Sequence, residues 1–186
     1  MKKTVHTTFE TERLILRPWS EEDAAALYKY ACDAEVGPPA GWPPHDSVEF
    51  SRQVIREVFS APYTFAVVLK ETGEPVGCCG LVPDGARPDE HIGVNDAEIG
   101  YWIGRPFWGN GLIPEAVRCL MQFCFCRLNM DSLWVAFNET NLKSRRVAEK
   151  CGFSFHHVKC GPEKEVYYRC RCTEYAGMEG KCSGSV

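Results

Sequence analysis

Residues 105–116 read Arg-Pro-Phe-Trp-Gly-Asn-Gly-Leu-Ile-Pro-Glu-Ala, and they join a strand pattern to a helix pattern through two glycines. An apolar, strand-like run at residues 97–103 precedes the segment, and a helical pattern begins near Leu112. Gly109 and Gly111 permit positive φ angles and a close approach of the backbone to a ligand. The following helix adds unpaired N–H groups and its positive dipole end. The segment predicts a phosphate-bearing ligand, although Gly-x-Gly alone also occurs in ordinary strand-to-helix turns.

Length and charge limit the class of protein. The chain has 186 residues, which predicts one domain over residues 1–176 and a flexible tail over residues 177–186, where Gly, Ser and Lys are frequent. Lys and Arg total 21 against 25 for Asp and Glu, and the net charge of -4 argues against a general nucleic-acid binder. The chain has no apolar run long enough for a membrane helix and no signal-peptide pattern. We therefore expect a soluble, cytoplasmic protein with no membrane partner and no direct nucleic-acid partner.

The 11 cysteines are scattered through strand-like and helix-like segments. No Cys-x-x-Cys motif is present, and the neighbouring His156 and His157 lack a paired ligand spacing. Without a secretory signal, reduced thiols are the expected state. The sequence thus predicts no metal ion.

Hydrophobic periodicity and turn residues predict a mixed α/β (α+β) domain. Helix starts are indicated at Ser20 and at Asp46 or Ser47. The Pro-rich stretch 37–44 is predicted to be irregular, and its Trp42 either lines a site or pins the loop to the core. Strand patterns occupy residues 9–17, 64–69, 75–82, 97–103, 132–137, 153–158 and 165–172, and helix patterns occupy residues 24–31, 47–60, 112–128 and 141–150. This order predicts one mostly antiparallel sheet of about six to seven strands, flanked by helices.

Four sequence blocks occur in a specific order. They are Thr-Glu-Arg-Leu-Ile-Leu-Arg-Pro at residues 11–18, Ala-Glu-Ile-Gly-Tyr-Trp-Ile at 97–103, Phe-Trp-Gly-Asn-Gly at 107–111, and Asn138-x-x-Asn141-x-x-Ser144 followed by Glu-Lys-Cys-Gly-Phe at 149–153. Together they resemble the GNAT superfamily of acyl-CoA-dependent N-acetyltransferases, and within it the RimJ/RimL-like, ribosomal-protein-alanine N-acetyltransferase type.

The resemblance implies a GNAT-like central mixed sheet in which two neighbouring parallel strands splay apart and form a cleft for acetyl-CoA. The strands would be residues 97–103 and 132–137, with pantetheine on the first strand and the pyrophosphate on the glycine loop. Pro106 departs from the superfamily pattern, which often has Gln or Arg there, and Arg105 lies one place away. The implied cofactor-binding residues are Tyr101, Trp102, Ile103, Trp108, Gly109, Asn110, Gly111, Leu112, Ile113, Asn138, Asn141 and Ser144.

Acetyl transfer to an amine needs a base, a donor to the oxyanion and an acid for the departing thiolate. Glu98 is the candidate base, unless it only pairs with a cation or orients the substrate. A backbone N–H near Trp102 or Ile103 is the candidate oxyanion donor. Ser144 resembles the residue that approaches the CoA sulfur and is the candidate acid, although a serine there also suits a helix end. Asn138, the third catalytic candidate, would bind the cofactor directly or through water.

Three features near these candidates have structural explanations. Asn141 is expected to cap the following helix. Trp108 is expected to pack under the loop rather than take part in chemistry. A basic cluster either meets the ribose phosphate of CoA or forms a solvated helix face. Its members are Lys143, Arg145, Arg146 and Lys150.

The leading prediction is an acyltransferase that moves an acetyl group from acetyl-CoA to a primary amine by direct attack in a ternary complex. The acceptor would be a protein N-terminus or a small molecule, and the enzyme a monomer or homodimer. One alternative is a non-catalytic acyl-CoA-binding regulatory module. The other, a doubly wound nucleotide binder, is disfavoured because the glycine loop lies mid-chain after several strands and no acidic ribose partner lies on a strand about 20 residues beyond Gly111.

The acceptor would be selected by the first two helices, the loop around Trp42 and residues 83–95. Acidic residues in and near these segments either attract a cationic amine or serve solubility. They are Asp33, Glu35, Asp84, Asp89 and Glu90.

Overall fold

The structure, a computed structural model, describes residues 7–83 and 89–182, with side chains as far as residue 177. Its strands form a single sheet of eight in the order β1-β2-β3-β4-β5-β6-β8-β7. All neighbouring strands in it are antiparallel except β5 and β6, which are parallel. The strands are β1 (Phe9–Glu10), β2 (Leu14–Pro18), β3 (Thr64–Leu69), β4 (Pro75–Leu81), β5 (Asp96–Ile103), β6 (Ser132–Asn138), β7 (Ser154–Cys160) and β8 (Lys164–Arg171).

Helices flank the sheet, and their starts follow the predicted caps. They are α1 (Ala24–Ala31), α2 (Val48–Glu57), α3 (Leu112–Cys126), α4 (Leu142–Lys150) and α5 (Cys172–Cys182). Ser20 caps a 3-10 turn that leads into α1, and Asp23 completes a capping box with it. Ser47, rather than Asp46, caps α2 by accepting the Phe50 N–H. None of the helices in the described ranges is long and apolar enough to span a bilayer.

Three segments differ from the sequence prediction in detail. The opening strand is divided in two, because a turn from Thr11 to Leu14 folds β1 back onto β2 and raises the strand number to eight. Within the Pro-rich stretch, Pro38–Ala40 forms a 3-10 turn, since proline is tolerated in the first turn of a helix. Helix α5 runs through residue 182 and so covers part of the segment for which the sequence predicts a flexible tail.

The core lies between the sheet and the helices. Leu14 and Leu16 of β2 are fully buried, and α3 buries its apolar positions Ile113, Val117 and Leu120 against the sheet. The ten cysteines whose side chains the structure describes are all free thiols. Burial raises the pKa of Cys78 to about 12, so this thiol behaves as a small apolar side chain.

The parallel pair β5 and β6 separates along its length. The two strands pair only at the start, where Asp96 lies opposite Ser132 and Glu98 opposite Trp134. Beyond that point β5 continues beside β4 alone, and β6 continues beside β8 alone. The predicted splay is confirmed, and it opens a gap in the middle of the sheet.

Candidate active site

The backbone of β5 presents polar groups to this gap. Gly104 N–H donates to Val76 O and Val82 N–H donates to Glu98 O, each at 2.8 Å, which fixes the alternation of the β4–β5 ladder. By that alternation the backbone of Trp102 faces β4, while the N–H groups of Tyr101 and Ile103 face the gap. The sequence named Trp102 or Ile103 as the oxyanion donor, and the ladder leaves Ile103 as the one of the two with its N–H on the gap side.

The glycine loop lies between β5 and α3 and has the predicted conformation. Gly109 has φ +79° and Gly111 has φ +75°, and Gly111 is the N-cap of α3. A Cβ built on Gly109 would meet no atom within 4 Å, so the space above it is open. In the described part of the chain, the N–H groups of residues 109–113 have no hydrogen-bond acceptor. These donors stand at the positive end of a 15-residue helix.

A half-buried carboxylate from α3 lies beneath the loop. Glu115 accepts hydrogen bonds from the Thr11 hydroxyl at 2.6 Å and from the Arg13 guanidinium at 2.7 Å. Arg13 also donates to the carbonyl oxygen of Asn110 at 3.0 Å, inside the loop itself. Burial raises the pKa of Glu115, but the hydrogen bonds from Thr11 and Arg13 outweigh it and hold the pKa below its usual value. Sequence reasoning missed this network, although Thr11 and Arg13 belong to the block at residues 11–18.

A cavity of about 890 Å³, the cleft cavity, extends from the gap along the loop to α4. Its volume lies in the range typical of sites for organic ligands. Asn110 is absent from its lining, because its carbonyl points to Arg13. All the other predicted cofactor-binding residues line it: Tyr101, Trp102, Ile103, Trp108, Gly109, Gly111, Leu112, Ile113, Asn138, Asn141 and Ser144.

The far end of the cleft cavity is cationic. Lys143, Arg146 and Lys150 of α4 line it, whereas Arg145 does not. The Lys143 ammonium lies 3.5 Å from the centre of the Trp108 ring, a cation–π contact. Trp108 itself donates its indole N–H to the carbonyl oxygen of Ile103, so it packs the loop against β5 as expected.

Arg105 lies outside this cationic end. Its guanidinium pairs with Asp33 at 2.8 Å. Neither residue lines the cleft cavity. Arg105, the neighbour of Pro106, therefore contacts the segment that follows α1 and does not contribute to the cleft cavity.

The start of α4 links the cavity to the Pro-rich loop. Asn141 caps the helix as predicted, by accepting the Ser144 N–H at 3.1 Å, and its amide donates to the carbonyl of Pro39 at 3.1 Å. The Tyr101 hydroxyl donates to the Ser144 carbonyl at 3.1 Å. Burial raises the pKa of Tyr101, so this phenol keeps its proton.

A second cavity of about 580 Å³, the acidic cavity, adjoins the first. Glu98 lines it, as do Glu163 and Glu165, and Lys159 brings a positive charge to the same wall. The two cavities share Tyr101, Asn138 and Ser144 among their lining residues. Glu98 is buried on β5. Asn138 and Ser144 therefore lie at the junction of the two cavities, and Glu98 lies in the wall of the acidic cavity.

Asn138 is more occupied than the sequence indicated. Its side-chain oxygen Oδ1 accepts the Thr140 N–H at 3.0 Å and the Thr140 hydroxyl at 2.7 Å. Its amide donates to Glu163 at 2.7 Å. These bonds shape the turn between β6 and α4.

The residues expected to select an acceptor are dispersed. Trp42 packs edge-on against Trp102 with ring centres 5.7 Å apart and lines neither cavity, which favours its pinning role. Glu35 lines the cleft cavity, and Glu90 is exposed. Asp89 contacts histidines, as described below, and Asp84 lies outside the described residues.

A sheet opened between two parallel strands, with a glycine loop and a helix N-terminus at the opening, is the architecture of acyl-CoA-dependent acetyltransferases. The profile of the family described as "Acetyltransferase (GNAT) domain" matches residues 13–154. The chain therefore belongs to the GNAT acetyltransferase family, and to its RimJ/RimL-type branch.

Individual relatives agree with this. The uncharacterised N-acetyltransferase p20 of Bacillus licheniformis is 32% identical over 151 residues, which cover 78% of this chain and 82% of the relative. A GNAT-family acetyltransferase from Bacillus anthracis superposes with a TM-score of 0.76 at 22% identity, covering 90% of this chain and 99% of its own. The ribosomal-protein-S5-alanine acetyltransferase of Vibrio fischeri superposes with a TM-score of 0.70 at 18% identity, covering 91% and 98%. At these identities the structural matches show the fold alone.

Proposed function

We propose that this protein transfers the acetyl group of acetyl-CoA to a primary amine by direct attack in a ternary complex. The observation that carries the proposal is that a cleft cavity, rich in hydrogen-bond donors, meets an acidic cavity lined by Glu98, and that the two cavities share Asn138 and Ser144. Two adjoining cavities suit two substrates that must be held together, and holding them in line lowers the entropic part of the barrier.

The cleft cavity would hold acetyl-CoA through main-chain groups and cations. The N–H group of Tyr101 would pair with a pantetheine amide, as an added strand would. The donors of residues 109–113 would bind the pyrophosphate at the helix N-terminus. Arg146 and Lys150 would meet the ribose phosphate. This division accounts for the cavity's length and for the position of its positive charges.

The chemistry would take place where the cavities meet. Glu98 would accept the proton of the cationic amine, directly or through water, and the free amine would then form a carbon–nitrogen bond at the thioester carbonyl. The N–H of Ile103 would stabilise the negative charge that develops on the carbonyl oxygen. As the carbon–sulfur bond breaks, the Ser144 hydroxyl would give its proton to the thiolate and take up the second proton that leaves the nitrogen.

The acidic cavity would take the acceptor amine. Its carboxylates would attract a cationic substrate, and Glu98 would then remove the proton that makes that substrate cationic. A protein N-terminus and a small-molecule amine both satisfy this chemistry.

A paired glycine experiment tests cofactor binding. Gly109→Val should abolish acetyl-CoA binding in calorimetry while the chain stays folded, because the side chain would enter the open space of the cleft cavity. Gly73→Val is the matched control: Gly73 has φ +71° and open space around its Cβ, but it lies in the turn between β3 and β4. Gly73→Val introduces similar backbone strain away from the cleft cavity, so its acetyl-CoA affinity should equal that of the wild type. Wild-type affinity in Gly109→Val would refute the phosphate loop.

The second candidate function is a non-catalytic acyl-CoA-binding module. A turnover assay distinguishes it from an enzyme. The wild-type protein should release CoA thiol from acetyl-CoA with at least one member of a panel of N-terminal peptides, polyamines, amino acids and aminoglycosides. Acetyl-CoA binding without thiol release across the whole panel would favour the binding module over the enzyme.

A further inference from the structure

A cluster of three metal-ligand-type side chains lies on the loop before β5 and on the edge strand β7. One ligand atom each from Asp89, His91 and His157 lies within 4.8 Å of the other two. Nδ1 of His91 is 3.1 Å from Oδ1 of Asp89, and Nε2 of His157 is 3.2 Å from Oδ2 of the same carboxylate. The chain separation between the loop and β7 hides this cluster from spacing rules, which predicted no metal.

The distances suit a tetrahedral ion. Zn²⁺ binds imidazole nitrogen and carboxylate oxygen at about 2.0–2.2 Å, so two of its ligands lie roughly 3.3 Å apart. The two separations between Asp89 and the histidines, 3.1 Å to Oδ1 and 3.2 Å to Oδ2, are close to this value. The rings of His91 and His157 are 4.2 Å apart between centres, and the His91 side chain is 41% exposed, which leaves it room to turn toward an ion.

Two of the three ligands are held in place by the fold. The Asp89 side chain is only 5% exposed, and its Oδ1 accepts the backbone N–H of His91 at 3.0 Å. The His157 ring stacks on the buried Tyr167 with an interplanar angle of 12° and a centre distance of 4.6 Å. Little side-chain entropy would therefore be lost when these two residues bind an ion.

His156 completes the arrangement in an outer position. A β-bulge between Phe155 and His157 interrupts the strand alternation, and Nδ1 of His156 lies 2.9 Å from Nδ1 of His157. If Nδ1–H of His157 donates to His156, the lone pair of His157 Nε2 is left on the side of Asp89. A hydrogen bond to the outer nitrogen is the usual way in which a metal-binding histidine is oriented.

We propose that Asp89, His91 and His157 bind a divalent transition-metal ion, with Zn²⁺ as the expected ion and one coordination position open to water. Imidazole ligands select Zn²⁺, Ni²⁺ or Cu²⁺ over Mg²⁺ and Ca²⁺. The Lys159 ammonium lies 3.8 Å from Asp89 Oδ2 and opposes a cation there, and its side chain is 42% exposed and can move away. Because Lys159 also lines the acidic cavity, the metal would lie beside the acceptor site.

Titration of the full chain with Co²⁺, followed by visible absorption, tests the site without any acetyl transfer. We expect d–d bands that saturate at one equivalent, without the charge-transfer band of thiolate ligation, and their displacement by Zn²⁺. His91→Ala and His157→Ala should remove the bands. His156→Ala should weaken binding roughly 10- to 100-fold. Lys159→Ala should tighten it, because an opposing charge is gone.

The many thiols of the chain require a matched control. Cys160 is an exposed thiol at the end of the same strand, and Cys160→Ser should keep the bands. Bands that persist in His91→Ala, that disappear in Cys160→Ser, or that never form with Co²⁺ would each overturn the proposal. His91 is exposed, so its variant should fold even if His157→Ala does not, and thermal unfolding of each variant checks this.

Discussion

The cleft cavity and the acidic cavity adjoin but differ in the chemical groups that line them. The cleft cavity is lined by main-chain donors at the β5 edge and the glycine loop, with cations at its far end. The acidic cavity is lined by the carboxylates Glu98 and Glu165, and Glu163 lines both cavities. This difference indicates that one ligand is recognised by backbone geometry, whereas the other is recognised by side-chain charge. Substitutions should therefore affect the two ligands separately.

The largest difference between the effect on turnover and the effect on acetyl-CoA affinity is expected for a substitution of Glu98. Glu98→Gln keeps the shape of the acidic cavity but removes the base, so turnover should fall roughly 1,000-fold. Calorimetry should show acetyl-CoA affinity within about twofold of the wild type, since Glu98 does not line the cleft cavity. Glu165→Gln, on the same wall, is the control and should raise the acceptor KM with little change in kcat. Wild-type turnover in Glu98→Gln would remove it from the mechanism.

The next largest effect concerns the junction. Ser144→Ala should lower kcat roughly 100-fold, with less effect on acetyl-CoA affinity, if its hydroxyl protonates the thiolate. Tyr101→Phe removes the neighbouring hydroxyl, which already donates to the Ser144 carbonyl, and should reduce kcat less. Steady-state kinetics on both variants identify the acid. The reverse ranking would assign that role to Tyr101.

A smaller effect is expected at the cationic end. Arg146→Ala should weaken acetyl-CoA binding about tenfold, corresponding to the loss of one charge-assisted contact. Calorimetry with 3′-dephospho-acetyl-CoA should show no difference between the variant and the wild type. Arg52→Ala, on α2 and away from both cavities, serves as the control. A tenfold loss that persists with the dephospho analogue would place the contact elsewhere on the cofactor.

The smallest effect is expected at Glu115, beneath the loop. Because folding lowers the pKa of Glu115, its carboxylate stabilises the folded state above the ordinary carboxyl pKa, and this contribution is lost as the pH falls through the lowered value. Glu115→Gln should reduce Tm by about 3 °C at pH 7 and by progressively less toward about pH 3. Glu49→Gln is the control: the Glu49 side chain is 70% exposed, and its replacement should leave Tm unchanged. A pH-independent difference would contradict the assignment.

Local sequence signals were sufficient for most elements of the fold. Ser20, Ser47 and Asn141 act as caps because a short oxygen-bearing side chain before an apolar repeat has few other uses. The positive φ angles at Gly109 and Gly111 follow from the same kind of local reasoning. The division of the first strand into β1 and β2 was not predicted, because the turn that separates them contains neither glycine nor proline.

Contacts between distant segments were beyond the reach of the sequence. Glu115 meets Thr11 and Arg13 across about a hundred residues of chain, and no pattern within either segment indicates the other. The same holds for Asp89 and His157, which come together only because the loop before β5 folds against the edge strand. The direction of the Trp102 backbone depends on the register with β4, which a single strand pattern does not specify.

The gap between β5 and β6 has a consequence for how this fold can diversify. A strand edge offers its N–H and C=O groups whatever side chains it carries, so mutation has little power to erase recognition that depends on them. Carboxylates such as those at Glu163 and Glu165 can be exchanged one at a time. A lineage built on such a sheet can therefore acquire new acceptors through single amino-acid changes while it keeps the same acetyl donor.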